Sequence, residues 1–278
     1  MATLSTDIAL DMDNWNLGSI GDGRLGAHDG DHFAIHGVQQ RVYDFGGHGF
    51  DYFGFARFSV PTAGEVQSLT IADAGTTVFT LTGISIDVPK LYGFLATDQF
   101  DALETYLFRN DDTIKGSGYD DVLRGFTGDD TLSGARGADS LNGGFGADRL
   151  AGGAGHDAFV FSSALDSTSV LYDRVTDFDA SKDIFVFDSA VTAVDTNIVG
   201  GHLTDWRFDV NLANAADGHH LGANHAVLFA PDAGKHAGET FLIVDLNGTA
   251  GYQIGEDAVI RLDDTSHLAG LSAANFTT

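Results

Sequence analysis

LFRNDDTIK GSGYDDVLR GFTGDDTLS GARGADSLN GGFGADRLA GGAGHDAFV, residues 107–160, is one nine-residue pattern written six times. The sixth place is always aspartate: Asp112, Asp121, Asp130, Asp139, Asp148 and Asp157. The eighth is always a large apolar residue: Ile114, Leu123, Leu132, Leu141, Leu150 and Phe159. Glycine opens five units, at Gly116, Gly125, Gly134, Gly143 and Gly152, and takes the fourth place in four. Such positions tolerate the positive φ of tight turns. The last three residues of each unit make a strand just long enough to bury its middle side chain, with the neighbours turned outward by the period of two. Two units complete one coil of a flattened spiral, and a metal-free glycine-rich linker would have no use for six in-phase apolar residues.

Successive units then fall on opposite sides of the spiral, and each aspartate stacks on the one eighteen residues away. Asp112, Asp130 and Asp148 line one edge; Asp121, Asp139 and Asp157 line the other. Stacked carboxylates repel unless a cation lies between them. Calcium suits the place, because it accepts six to eight oxygens in a flexible geometry and takes backbone carbonyls as readily as carboxylates. Gly116, Gly125, Gly134, Gly143 and Gly152 are therefore candidate carbonyl donors beside the six aspartates.

The units resemble the glycine-rich nonapeptide G-G-x-G-x-D-x-U-x of the RTX (repeats-in-toxin) family. That resemblance implies a right-handed parallel β-roll, several bound Ca2+ ions, and export by a type I secretion machinery that reads an uncleaved C-terminal signal. Unit one departs from the pattern, with Leu107 and Phe108 for the glycine pair and Asn110 in the fourth place, and unit two has Tyr119 there. Unit one is expected to cap the spiral and to ligate less completely.

The composition fits an oxygen-rich, ion-dependent chain. Thirty-six aspartates stand against four glutamates, and the formal net charge is −26. Short carboxylates suit turns and cages. So negative a chain makes nucleic acid and anionic membrane surfaces poor partners. Cysteine is absent, which excludes disulfides and thiolate metal sites. No apolar run reaches the length of a membrane span, and Met1 to Leu17 reads as neither a basic n-region nor an apolar h-region. Calcium sites of millimolar strength stay empty in a cytosol, so a secreted, extracellular or cell-surface protein is expected.

Outside the repeats the expectation is all-β: a β-rich N-terminal cap over 1–106, the β-roll over 107–160, and a β-rich C-terminal region over 161–278 that carries the export signal. Phe53 to Val60 and Thr76 to Asp87 read as half-buried strands. A short helix over Asp98 to Tyr106, capped by Thr97, would close the first coil. Gly26 to Ala34 aligns as a degenerate repeat unit with Asp31 sixth and Phe33 eighth. The same stretch holds His28, Asp29, Asp31, His32 and His36, either a transition-metal cluster or a polar loop.

After the repeats, Asp173 and Asp177 stand in a D-x-V-x-D-F-D pattern that resembles the closing segment of RTX ladders. They either ligate the last ions or serve as turn and edge residues. Further on, Asp245, Asn247, Thr249 and Glu256 occupy the first, third, fifth and twelfth places of an EF-hand-type loop. A hairpin turn would use the same residues. Leu268 to Phe276 resembles the C-terminal regions of type I secreted proteins.

No H-E-x-x-H or G-x-S-x-G motif occurs. No catalytic residue is assigned, and a non-catalytic matrix, surface-layer or adhesive component that self-associates on meeting calcium is the expected function. Two other readings stand beside it. One is a carbohydrate-binding module using Trp15, Tyr43, Tyr52 or Trp206; the other is a hydrolase with an aspartate-based site.

Overall fold

The computed structural model describes residues 2–6, 12, 24–28, 32–36, 41–53, 60–73, 76–97 and 99–278. Six short strands coincide with the last residues of the six units: β7 (Thr113–Lys115), β8 (Val122–Arg124), β9 (Thr131–Arg136), β10 (Ser140–Asn142), β11 (Arg149–Ala154) and β12 (Ala158–Phe161). The odd and even strands form two facing parallel stacks. Ile114 pairs with Leu132 and Leu132 with Leu150 on one face, Leu123 with Leu141 and Leu141 with Phe159 on the other. All six apolar residues are wholly buried between the stacks. This is the parallel β-roll that the nine-residue period dictates.

The parallel stacking does not stop at Val160. β13 (Asp173–Val175) adds to β11, pairing Leu150 with Val175, and β14 (Ile184–Phe187) adds to β12, pairing Phe159 with Phe185. These rungs lie twenty-five and twenty-six residues beyond their partners instead of eighteen, so the periodicity is lost in sequence while the stack persists in space. β21 (Ala258–Leu262) and β22 (Phe276–Thr277) add one strand more to each face. The rings of Phe159, Phe161, Phe178, Phe185, Phe187 and Phe276 fill this end, the closest pair being Phe178 and Phe185 with centroids 4.3 Å apart. Large rings replace leucines at this end of the stack.

At the other end β1 (Thr3–Thr6) lies parallel to β7, and its Leu4 continues the buried row beneath Ile114. β1 also pairs antiparallel with β6 (Thr76–Asp87). Through it one face of the roll runs into an antiparallel sheet in the order β6, β5 (Val60–Asp73), β4 (Arg41–Phe53), β3 (His32–His36) and β2 (Arg24–His28). β6 occupies the span expected of it. The Phe53 to Val60 strand is not tested, because 54–59 lie outside the described residues. Gly26 to Ala34 is not a roll unit: β2 and β3 pair antiparallel, whereas every roll unit pairs parallel, and Asp29 and Asp31 lie outside the described residues.

Two helices cover this junction where one was expected. α2 (Phe100–Leu107) matches the helix read from the apolar spacing, but Gln99 precedes it without a side-chain cap. Thr97 instead closes α1 (Val88–Ala96), its hydroxyl donating to the Gly93 carbonyl at 2.7 Å. The signals for α1 were present. Asp87 accepts from the Lys90 amide at 2.9 Å as N-cap, and Pro89 sits in the first turn, where its missing N–H costs nothing.

The C-terminal region contains the short strands β15 (Ala193–Val194), β16 (Ile198–Val199), β17 (His202–Leu203) and β19 (Ala233–Gly234), helix α3 (Phe208–Ala215), and the antiparallel strands β18 (His225–Ala230) and β20 (Thr240–Val244) beside β21. HAVLFA, TFLIV and AVIRL are apolar almost throughout, because both faces of this sheet are covered. Leu228, Leu242 and Ile260 join the core of the roll, while Phe229, Phe241, Ile243 and Val259 join a second core under Phe208 and Leu212 of α3.

Candidate calcium ladder

The six sixth-place aspartates are all buried, with at most 1% of their surface exposed. Five of the six accept a main-chain hydrogen bond from the rung before. The amides of Asp112, Asp121, Asp130 and Asp139 donate to Oδ1 of Asp130, Asp139, Asp148 and Asp157 at 2.6 to 3.0 Å. Asp148 and Asp157 in turn donate to Oδ1 of Asp173 and Asp183 at 2.9 and 3.1 Å, and the Ala2 amide donates to Asp112 Oδ1. Asp173 is thus the next rung of one edge and Asp183 the next rung of the other. Asp183 was not assigned as a site residue, because the longer closing coil takes it out of the nine-residue phase.

These bonds satisfy one oxygen of each carboxylate. Oδ2 of Asp130, Asp139, Asp148, Asp157 and Asp173 is buried with no hydrogen-bond partner. A buried carboxylate left half-satisfied is strongly destabilising unless a cation completes it. The opening glycines show where that cation fits. A β-carbon at Gly116 would lie 2.6 Å from Asp121 Oδ2 and 2.7 Å from the Gly134 carbonyl oxygen. Gly125 faces Asp130 Oδ2 and the Gly143 carbonyl in the same way, and Gly134 faces Asp139 Oδ2 and the Gly152 carbonyl. Carboxylate and carbonyl oxygens of successive coils converge beside these three glycines, a hard-oxygen donor set matched to calcium. Among the described residues no three His, Asp or Glu side chains converge on one point; the ladder draws one carboxylate at a time and takes the rest from the main chain.

Departures from the repeat alter single cages. Ser117 replaces a glycine in unit two, and its amide and hydroxyl bond Asp121 Oδ2 at 2.6 and 3.0 Å, so this carboxylate is partly satisfied from within. Phe126 and Ala135 hold the second place of units three and four at φ +71° and +80°, a region where side chains are strained. Phe126 is held there by Phe108, whose ring lies parallel at 6.1 Å. Asn110 and Tyr119 are tolerated in the fourth place because no full coil lies below them. From unit three onward a β-carbon there would strike the preceding coil: at Gly128 the Asn110 backbone, at Gly137 the Tyr119 backbone.

A second, exposed row escaped the sequence reading. Asp111, Asp120 and Asp129 accept from the amides of Asp129, Ala138 and Ala147 at 2.7 to 3.0 Å, so this row bonds in the opposite direction to the buried one. Its signal was aspartate in the fifth place of units one to three.

The remaining predicted residues divide. Asp177 is not on the ladder: it accepts from the Gly152 and Gly153 amides at 3.0 and 2.8 Å, capping the last glycine turn. Asp245 Oδ1 accepts from the Asn247 and Gly248 amides at 3.0 and 2.7 Å, and its Oδ2 from Asn224 at 3.2 Å. Asn247 donates to Glu256 Oε2 at 2.8 Å and accepts from the Thr249 amide at 2.6 Å. The four residues are brought together, with both Asp245 oxygens and the Asn247 side chain engaged within the turn and its neighbours. Asp257, unremarked in the sequence, takes the Leu246 and Gln253 amides and is fully buried. The side chains of His28, His32, His36, Tyr43 and Tyr52, and all of Trp15, lie outside what is described.

The RTX calcium-binding nonapeptide repeat model matches residues 108–141 and 124–159. This segment is an RTX repeat array. Comparison with curated proteins returned no match. Among solved structures, the R3 and R2 subunits of the AlgE6 mannuronan C5-epimerase of Azotobacter vinelandii are 28% and 29% identical to the chain. Each covers 60% of it, aligned over 78% and 87% of the respective subunit, with TM-scores of 0.38. The RTX array binds calcium, and the ladder of half-satisfied aspartates is where its geometry has room for the ion.

Burial pushes the RTX ladder carboxyls of Asp112, Asp130, Asp139, Asp148, Asp157, Asp173 and Asp183 upward, and neighbouring aspartates add to the effect. Asp130 reaches about 8, Asp148 about 7 and Asp139 about 6, and Asp173 lies well above the carboxylate range. Without calcium, folding therefore takes up protons. The stability this lends is fully present below about pH 4 and is lost as pH rises through 6 to 8. With calcium the trend reverses, since the cation competes with protons for the same oxygens. Thermal melts in chelator are expected to give a higher Tm at pH 4.5 than at pH 8, and melts in saturating calcium the opposite order. A chelated protein that is more stable at pH 8 would contradict this assignment.

Proposed function

We propose that this RTX-repeat protein is secreted, folds on meeting extracellular calcium, and self-associates as a non-catalytic component of a matrix, surface layer or adhesive coat. The observation that carries the calcium dependence is the row of buried, unpartnered Oδ2 atoms from Asp130 to Asp173. Calcium at the millimolar level of extracellular modules fills such sites only outside a cell. Among the described residues no helix is long and apolar enough to cross a membrane.

Self-association is supported by an apolar surface at the C-terminal end. Leu165, Val170, Leu171, Val210 and Ile254 are each about half exposed or more. Their segments are tied together: Ser169 Oγ bonds Asp209 Oδ2 at 2.8 Å, and the Gly255 amide reaches Thr168 Oγ1 at 3.4 Å. Contiguous exposed apolar side chains of this kind mark contact surfaces. A chain this acidic stays dispersed until cations reduce its charge.

Circular dichroism with sedimentation velocity during a calcium titration tests both parts. A gain of β-structure followed by growth in size is expected, with the paired change Leu171→Asp and Ile254→Asp abolishing the growth and leaving the calcium midpoint of folding in place. A chain that folds with calcium yet remains monomeric at millimolar calcium refutes the assembly half alone.

A further inference from the structure

The outer face of the roll carries a row of arginines that the calcium ladder does not use. Arg149 on β11, Arg174 on β13 and Arg261 on β21 are paired in register on three adjacent parallel strands. Their neighbours Leu150, Val175 and Leu262 point into the core, so all three arginine side chains leave the outward side of strands about 4.8 Å apart. The chain has only fourteen lysines and arginines in 278 residues. Three of them in one line is a local excess of positive charge on a strongly negative molecule.

The row is under-neutralised. One carboxylate, Asp263, serves all three: its Oδ2 meets Arg174 Nη2 at 2.8 Å and Arg149 Nη1 at 3.4 Å, and its Oδ1 meets Arg261 Nε at 2.9 Å. Arg261 also pairs with Glu239 at 2.8 Å. Arg174 Nε is buried without a hydrogen-bond partner, and the Arg149 and Arg174 side chains remain 49% and 42% exposed. Beyond Arg261 the network continues through Glu239 to His236 and Asp205, each step 2.7 Å, and Asp205 also pairs with Lys235. Trp206, 79% exposed, stands next to Asp205 with the Arg207 guanidinium 5.2 Å from its ring. In the other direction the same register places Thr131 and Thr113 in line with Arg149.

We infer that this strip, with Arg149 and Arg174 at its centre, binds a linear acidic polysaccharide lying across the strands. Guanidiniums at strand spacing offer paired donors to the carboxylates or sulfates of successive sugar units. The threonine hydroxyls extend the line, and Trp206 offers a face for a sugar ring at its far end. A duplex or single-stranded nucleic acid suits the strip less well, since a phosphate backbone would meet the acidic surface over a wider footprint. The overall charge of the chain does not forbid a short anionic oligomer. At physiological salt the screening length is about 8 Å, so the strip is felt and distant carboxylates are not. The inference needs the folded roll and is independent of self-association.

The test uses the calcium-loaded full chain, freed of excess calcium, titrated calorimetrically with a galacturonic acid hexamer, a chondroitin sulfate hexamer, a neutral dextran oligomer, a single-stranded DNA decamer and inorganic phosphate. Binding of an acidic hexamer without binding of dextran is expected. Arg149→Gln should weaken it measurably, and the double change Arg149→Gln, Arg174→Gln at least about tenfold, as loss of charge-assisted bonds requires. Arg136→Gln, an exposed arginine off the strip, should leave it within twofold. Melting in calcium checks that each variant is folded, and Arg149→Gln, which removes only a long ion pair, keeps the question open to refutation if the double variant unfolds. Absence of binding to either acidic hexamer, unchanged affinity in Arg149→Gln and the folded double variant, an equal effect of Arg136→Gln, equal binding of the DNA decamer, or phosphate occupying the strip as tightly as the hexamers would each overturn the inference.

Discussion

Chelation of calcium at pH 7.5 is expected to unfold the roll. Asp130, Asp139, Asp148, Asp157 and Asp173 each keep a buried oxygen with no partner, and an uncompensated buried polar group costs about 1–3 kcal/mol, more when charged. Five of them together exceed much of the 5–15 kcal/mol that holds an ordinary domain folded. Far-ultraviolet dichroism should therefore lose most of its β signal in chelator and regain it on calcium addition. The decisive variant is Asp139→Asn, which keeps an acceptor for the Asp121 amide, bonded at 2.8 Å, and removes the charge. It should raise the calcium concentration needed for folding and at the same time make the chelated protein more stable than the chelated parent. A merely structural hydrogen bond at Asp139 would predict destabilisation in both conditions. Identical melts of the parent with calcium and with chelator would end the ladder interpretation.

Gly146→Ala is expected to be among the most damaging single substitutions in the repeats that touch no ligand. Gly146 has φ +143°, and a β-carbon there would overlap the Gly128 carbonyl oxygen of the coil below. Backbone cannot yield as a flexible side chain does, so the coils must separate and the stacked oxygens with them. A loss of about 3 kcal/mol or more of calcium-saturated stability follows from strain of this kind. Tyr119→Ala supplies the contrast at the equivalent place of unit two. Tyr119 is 63% exposed, and the change should stay within about 0.5 kcal/mol. Comparable denaturant midpoints for the two variants would show that coil spacing is not set by the fourth-place glycines.

The contrast between these two positions also marks what the sequence discloses. A strict period exposes its own geometry: the strand positions, the buried row and the eighteen-residue stacking of the aspartates follow from nine residues and two units per coil. Legibility ends where the period does. Val175 and Phe185 continue the same core as Leu150 and Phe159, yet loops of unequal length carry the chain back, and no spacing rule announces Asp183 as a rung. Asp177 shows the converse, an aspartate in a suggestive pattern that folds back to hold two glycine amides. Asp245, Asn247, Thr249 and Glu256 keep the spacing of a calcium loop while bonding to one another and the turn, a distinction that lies in side-chain direction and not in residue order. Helix α1 was within reach, since Asp87 and Pro89 carry a start signal, but the residues between the strand ending at Asp87 and the helix near Asp98 received no expectation.

The two outermost rungs come from opposite ends of the described chain: residues 3–6 lie beneath β7, and residues 276–277 lie against β14. Such a spool has no lid until its final thread is wound. The Phe185 and Phe187 rings stay uncovered until Phe276 is laid against them, so the stack is sealed at this end only when a segment about ninety residues further along the chain has docked.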